Sequence, residues 1–128
     1  MPKFSDYKQA ARARGSLGLE LFAVISTPAV PPEEMQKHLP DHLAYQAQLE
    51  KDRVLFLAGP LSDTSGENIE GVGLIIYRAA DLDAARAIAE ADPMHARRAR
   101  TYELRRWLVN EGSLRLDVGL STGNAALA

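Results

Sequence analysis

The chain has 128 residues, of which 46% are hydrophobic and 25% charged, a composition typical of a single globular domain rather than a disordered or fibrous protein. Its formal net charge of -2 at pH 7 provides no basic field for a phosphate backbone, so we expect no nucleic-acid partner. The absence of cysteine excludes disulfides and thiolate chemistry.

The N-terminal segment 1–18 is charged and lacks the apolar stretch of a signal peptide. No apolar run elsewhere approaches the ~20 residues needed to cross a bilayer. We therefore expect a cytoplasmic protein without a membrane partner.

The first half of the chain predicts a short helix, a strand and a longer helical stretch. Residues 5–14 read as a helix capped by Ser5 and Asp6, and residues 19–26 as an apolar strand. The stretch 31–52 opens with prolines and acidic residues, which favour a helix start. Pro40 must kink this helix or begin a second one.

The second half predicts two strands, a helix and a last strand. Residues 54–58 and 72–77 read as antiparallel strands joined by a long loop over 61–71. Asp81 can cap a helix that ends before Pro93, and residues 101–109 read as a strand. The order βαββαβ predicts an α+β ferredoxin-like sandwich with an antiparallel sheet.

The predicted strands are apolar on both faces, although the helices of such a fold cover only one. Residues 54–57 and 74–76 are apolar throughout, and the first strand carries apolar residues on either side. An uncovered face of this kind exceeds what monomers usually expose, so we expect a homodimer that packs sheet against sheet. The alternative is that the N-terminal helix or the C-terminal tail covers this face.

His42 and Asp92 are the candidate catalytic residues. At helical spacing His42 falls within an apolar stripe and should point toward the sheet, while Asp92 ends a helix where the dipole disfavours a negative charge. A carboxylate that fixes one imidazole nitrogen leaves the other as a general base. Alternatively, His42 is a satisfied core histidine and Asp92 only caps the backbone before Pro93.

Four residues are candidates for binding a substrate. Gly59 and Pro60 could let a ligand approach the backbone, or could simply make a tight exit from the strand. Tyr77 and Trp107 could wall a pocket, or could fill the core and the dimer seam. No phosphate loop or dinucleotide fingerprint is present, so we expect no cofactor.

Two further patterns have plain alternatives. His38 and His42 are spaced like metal ligands, but Pro40 lies between them and no third ligand is near, so we expect no metal site. The basic run from His95 to Arg106 could attract an anionic substrate, although we favour a solvated loop.

Four segments in series resemble the YciI (YCII-related) family, and the resemblance spans residues 19–111. They are residues 41–45 with Leu49, residues 57–61, residues 91–94 and residues 103–107. The resemblance implies a dimeric α/β barrel built from two ferredoxin-like units, with an active site at His42 and Asp92. Residues 1–18 are then a helical extension, and 112–128 a tail with a possible edge strand at 114–118 and a frayed end from Ser121.

One departure from the family concerns the segment after Asp92 and Pro93. Family members commonly continue with an aromatic or apolar residue and then a glycine, whereas residues 94–100 contain no glycine. A different pocket rim is expected.

Our first hypothesis is a cofactor-independent acid–base enzyme that acts on a phenolic, quinol or lactone-like molecule. The lyase, isomerase or dehydrochlorinase type of reaction is implied by the resemblance alone. The alternative hypothesis is a non-catalytic dimeric module that binds a small metabolite or another protein.

Overall fold

The computed structural model describes all residues, 1–128. Its helices and strands follow one another as α1 (Phe4–Ala13), β1 (Leu19–Pro28), α2 (Pro32–Gln36), α3 (Leu39–Lys51), β2 (Leu55–Ser62), β3 (Ile69–Tyr77), α4 (Leu82–Ala91), α5 (Pro93–Ala96), β4 (Arg100–Val109), β5 (Leu116–Val118) and β6 (Ala125–Leu127). None of the helices combines the length and the apolar character that a membrane span requires.

Strands β1 to β4 form one sheet in the order β2-β3-β1-β4, with β3 antiparallel to both β1 and β2. This is the strand order of a ferredoxin-like fold, which confirms the predicted α+β class. The register places Val24 and Ala58 on either side of Ile75, so these three side chains share one face.

Pro40 begins a second helix rather than kinking the first. Helix α2 ends at Gln36, and α3 starts at Leu39 with the proline in its first turn, where the missing N–H has no partner to lose. At α4 the Asp81 side chain accepts a hydrogen bond from the Ala84 N–H at 2.8 Å, as predicted. The predicted cap of α1 is wrong, because Ser5 and Asp6 lie inside that helix.

The loop between β2 and β3 is shorter than predicted, since Ser62 already pairs with Ile69. Asp63 closes the connection by accepting hydrogen bonds from Ser65, Gly66 and Asn68. The hydrogen bonds from Ser65 and Asn68 lower the pKa of Asp63 to about 2. A side chain that organises its own turn lets the strands extend on both sides.

The core lies on the helix-covered face of the sheet. It is a cluster of buried side chains from the sheet, α3 and α4, namely Phe22, Val24, Leu49, Ile75, Tyr77, Ala85 and Ala89. On the opposite face Ala23, Leu74, Ile76 and Trp107 line a shallow apolar depression. Trp107 is 43% exposed and Leu57 60% exposed, so this second face carries open apolar surface, as the strand pattern predicts.

The chain folds as two compact units, Glu20–Trp107 and a second one made of Met1–Leu19 with Leu108–Ala128. In the second unit Leu17 N–H donates to the Asn110 carbonyl at 3.0 Å, and β5 pairs with β6. The tail strand therefore has its own two-stranded sheet and is not an edge of the main sheet, which corrects the prediction. Residues 125–127, predicted to be frayed, are the partner strand.

Candidate active site

A cleft of about 330 Å³ lies between α3 and the sheet. Its lining residues come from α3 and from all four strands of the main sheet: Ser26, Leu39, His42, Leu43, Gln46, Ala58, Gly59, Pro60, Gly71, Gly73, Ile75 and Arg100. The predicted residues His42, Gly59 and Pro60 are thus brought together at one cleft.

His42 reaches from this cleft to Asp92. Its Nδ1 lies 2.9 Å from each carboxylate oxygen, and Asp92 is fully buried, with 0% of its surface exposed. An ionised carboxylate can only accept a hydrogen bond, so Nδ1 carries the ring proton and donates a hydrogen bond to Asp92. The tautomer of His42 is therefore fixed, with the lone pair on Nε2.

Asp92 stands between two helices. Pro93 prevents α4 from continuing, and Asp92 adopts an extended backbone conformation with φ -60° and ψ 124°. One carboxylate oxygen accepts a hydrogen bond from the Met94 N–H at 3.0 Å and so caps α5. Asp92 both caps the backbone and pairs with His42, and these two roles, treated above as alternatives, coexist.

Gln46 lies one turn after His42 on α3. Its side-chain amide donates a hydrogen bond to His42 Nε2 at 3.0 Å, and both residues line the cleft. Gln46 was not among the predicted site residues, although its spacing of four residues from His42 on a helix could have indicated it. The unprotonated Nε2 of His42 therefore lies at the cleft, where it accepts a hydrogen bond from the neutral Gln46 amide.

A second histidine is buried behind the cleft. His95 is 2% exposed, donates from Nδ1 to the Ala89 carbonyl at 2.8 Å and accepts at Nε2 from the Ser26 hydroxyl at 2.8 Å. The Ser26 oxygen in turn accepts from Arg100 Nε at 2.7 Å. Burial lowers the pKa of His95, which keeps this ring neutral.

The basic run that begins at His95 is not a solvated loop throughout, which corrects the interpretation favoured above. Arg97 and Arg98 are exposed, and Arg97 pairs with Asp41 at 2.8 Å. His95 and Arg100 turn inward instead. Alternation along β1 and β4 could have indicated the direction of Arg100, because Ser26 shares the face of Val24, and Arg100 that of Leu104.

Two predicted pocket residues lie away from this cleft. Tyr77 is buried in the core, where burial raises its pKa and its hydroxyl has no hydrogen-bond partner. Trp107 lies on the opposite face of the sheet. The spacing of His38 and His42 produces no metal cluster, because no three His, Asp or Glu side chains come close enough to hold an ion.

Acid is expected to destabilise the fold through His95. Because burial lowers its pKa, the unfolded chain binds a proton below about pH 6.5 that the folded chain does not. The free energy of unfolding should therefore fall from pH 6.5 to pH 5.5, by up to about 1 kcal/mol. Urea denaturation at these two pH values measures the slope.

The His95→Gln variant is expected to lose this part of the slope, and His38→Gln to keep it. His38 is the matched control, because its ring lies beside Glu34 and is not fully buried. An unchanged slope in His95→Gln would contradict the expectation.

The sheet order and the helices packed on one face of the sheet place the protein among the ferredoxin-like α+β proteins. Within that class the chain belongs to the YCII-related family, because the family model described as the YCII-related domain matches residues 21–108, more than half of the chain. The resemblance stated from the four motifs is thereby confirmed.

Among solved structures the chain is similar to 5-chloro-2-hydroxyhydroquinone dehydrochlorinase (TftG) from Burkholderia phenoliruptrix AC1100, in complex with 2,5-dihydroxybenzoquinone. The TM-score is 0.50 and the identity 20%, over 68% of this chain and 92% of that chain. At this identity the likeness concerns the fold. No curated protein matches the chain.

Proposed function

We propose that the protein is a cofactor-independent acid–base enzyme in which His42 accepts and returns a proton. Asp92 orients the imidazole ring of His42. The observation that carries the proposal is the contact of 2.9 Å between His42 Nδ1 and the buried Asp92 carboxylate, at the wall of a cleft. A histidine whose tautomer is fixed in this way has one nitrogen free of a proton and ready to accept one.

The reaction begins when a substrate displaces the Gln46 amide from His42 Nε2. The lone pair on Nε2 then takes a proton from a C–H or O–H of the substrate, and the electron pair left behind delocalises into the ring or toward a carbonyl. The imidazolium that forms lies against the Asp92 carboxylate, which stabilises its charge. If His42 returns the proton to a different atom of the substrate, the reaction is an isomerisation. If a leaving group departs from the substrate with its electron pair, the reaction is an elimination of the lyase type.

The proposed substrate is a small phenolic, quinol or lactone-like molecule. A cleft of about 330 Å³ is of the size that accommodates a small ligand, and Leu39, Leu43 and Ile75 provide apolar walls. The structurally similar dehydrochlorinase was solved with 2,5-dihydroxybenzoquinone, a ring of this size. A dehydrochlorinase type of elimination is accordingly part of the proposal.

The proposal is tested by proton exchange in D₂O. Phenols, quinols and lactones with an acidic C–H are incubated with the protein, and the loss of the C–H signal is followed by NMR. The wild type should exchange at least one member of the panel, and His42→Gln should be slower by about 10²- to 10⁴-fold.

His38→Gln is the matched control, since this histidine does not line the cleft. It should exchange like the wild type. Equal rates in the wild type and His42→Gln, or no exchange of any panel member, would refute the proposed chemistry.

A non-catalytic dimeric binding module is the second candidate function. The observation that favours it is that both ring nitrogens of His42 have partners within the protein, Asp92 and Gln46. A histidine satisfied on both sides can be purely structural. Binding of a panel member to the wild type without exchange is the result expected from this candidate.

A further inference from the structure

Arg100 lies in the same cleft without an acidic partner. Its Nε donates to the Ser26 hydroxyl at 2.7 Å and its Nη2 to the Ser26 carbonyl at 2.9 Å, and Nη2 also donates to the Gly71 carbonyl. All three acceptors are neutral. No carboxylate forms an ion pair with the guanidinium, so its charge is not compensated at contact distance.

The guanidinium is also partly removed from water. Burial lowers the pKa of Arg100, while the charge of Asp92 opposes this effect from beyond contact distance. Burying a cation that has no counter-ion costs free energy, and a bound anion beside the cation offsets that cost.

The position of Arg100 is fixed before any ligand arrives. Ser26, which accepts from Arg100, is itself held because its hydroxyl donates to the buried His95. The remaining terminal nitrogen, Nη1, makes no hydrogen bond within the protein. A planar donor whose orientation is already set loses little entropy when it binds a carboxylate or phenolate oxygen.

Glycine beside the guanidinium leaves room for such a ligand. A Cβ built on Gly73 would lie 3.8 Å from Arg100 Nη2, so a longer side chain there would occupy the space next to the cation. Gly73 and Gly71 both line the cleft. The backbone of β3 therefore keeps this end of the cleft open.

We propose that Arg100 is the counter-charge for an organic anion, so that the cleft takes a small molecule carrying a carboxylate or phenolate group. The anionic oxygen contacts Arg100, and the apolar part lies against Ile75. This proposal rests on the proposed function for the identity of the cleft as the substrate site. It adds the charge of the substrate and a binding residue that touches it.

The test compares two probes of nearly equal shape, benzoate and neutral benzamide, by NMR titration of the full chain. Benzoate should bind about tenfold or more tightly than benzamide to the wild type, and the preference should weaken with added salt. Arg100→Gln should remove the preference. Arg105→Gln, an exposed arginine paired with Glu103, is the control that should keep it.

Arg100→Lys covers the case in which Arg100→Gln does not fold, since it retains the charge and should retain a reduced preference. Equal binding of the two probes to the wild type, no binding of benzoate at millimolar concentration, or full preference in Arg100→Gln would overturn the proposal. Inorganic phosphate is the third probe, and its binding in place of benzoate would also overturn it.

Failure of the proposed anion site can be distinguished from failure of the proposed acid–base chemistry. His42→Gln should keep the preference for benzoate, because the base does not contribute to the anion contact. A preference for benzoate that depends on Arg100, in a protein that exchanges no proton, would leave the anion site intact and refute only the acid–base chemistry.

Discussion

Replacing Asp92 with asparagine is expected to abolish proton transfer at His42 while the fold is retained. The asparagine oxygen can still accept from the Met94 N–H, but its amide N–H₂ then faces His42 Nδ1 and demands an acceptor. The remaining oxygen is then shared between Nδ1 and the Met94 N–H, so we expect the ring proton to move to Nε2, where it removes the lone pair that accepts the substrate proton. We expect a loss of exchange rate of about 10³-fold or more.

The tautomer itself is measurable. In the wild type, ¹⁵N shifts of the His42 ring should show the proton on Nδ1, and in Asp92→Asn on Nε2. Asp81→Asn is the matched control, because Asp81 likewise caps a helix by accepting from a backbone N–H but does not contact His42. An unchanged tautomer in Asp92→Asn, or exchange at the wild-type rate, would show that Asp92 does not orient the base.

A carboxylate placed at Leu57 is expected to convert a dimer into single chains. We propose that the open apolar face packs against the same face of a second copy, because it exposes Leu57 and Trp107 beside the depression that Leu74 and Ile76 line. Leu57→Glu would bury an unpaired charge there, which costs several kcal/mol and weakens association by about 10²-fold or more.

Light scattering coupled to size-exclusion chromatography measures the mass over a range of concentrations. The wild type should elute as a dimer, Leu57→Glu as a monomer, and Leu57→Val as a dimer, since valine preserves the apolar surface. Leu57 is already exposed within the single chain, so the charged variant should remain folded. A wild type that is monomeric at all concentrations would refute the sheet-to-sheet dimer.

The fold was predictable because its signals are local. Short apolar runs, the proline at position 40, the capping Asp81 and the break before Pro93 each act within a few residues, and together they specify the order of strands and helices. The boundaries were less accurate where a side chain organises its own turn. Asp63 shortens the loop between β2 and β3 and lengthens both strands.

Half of the candidate site was also predictable from sequence. His42 falls on the inward stripe of its helix, and the four motifs in series pointed to Asp92 as its partner. Ser26 was missed and Arg100 was assigned to a solvated loop, since their roles depend on neighbours far along the chain. Gln46 was missed although its partner His42 lies only one helical turn away. Tyr77 and Trp107 were named for their aromatic character, which does not show which face of the sheet they occupy.

The sequence by itself determined the family, the order of the helices and strands, and the presence of apolar residues on both faces of the sheet. It also determined the candidate residues His42 and Asp92. Only the tertiary structure decided that His95 turns inward, and that Arg100 lacks a carboxylate while lining the same cleft as His42. The physical reason is that periodicity fixes the direction of a side chain within its own element. The partner it meets, and therefore the cost of its burial, depends on how distant elements pack.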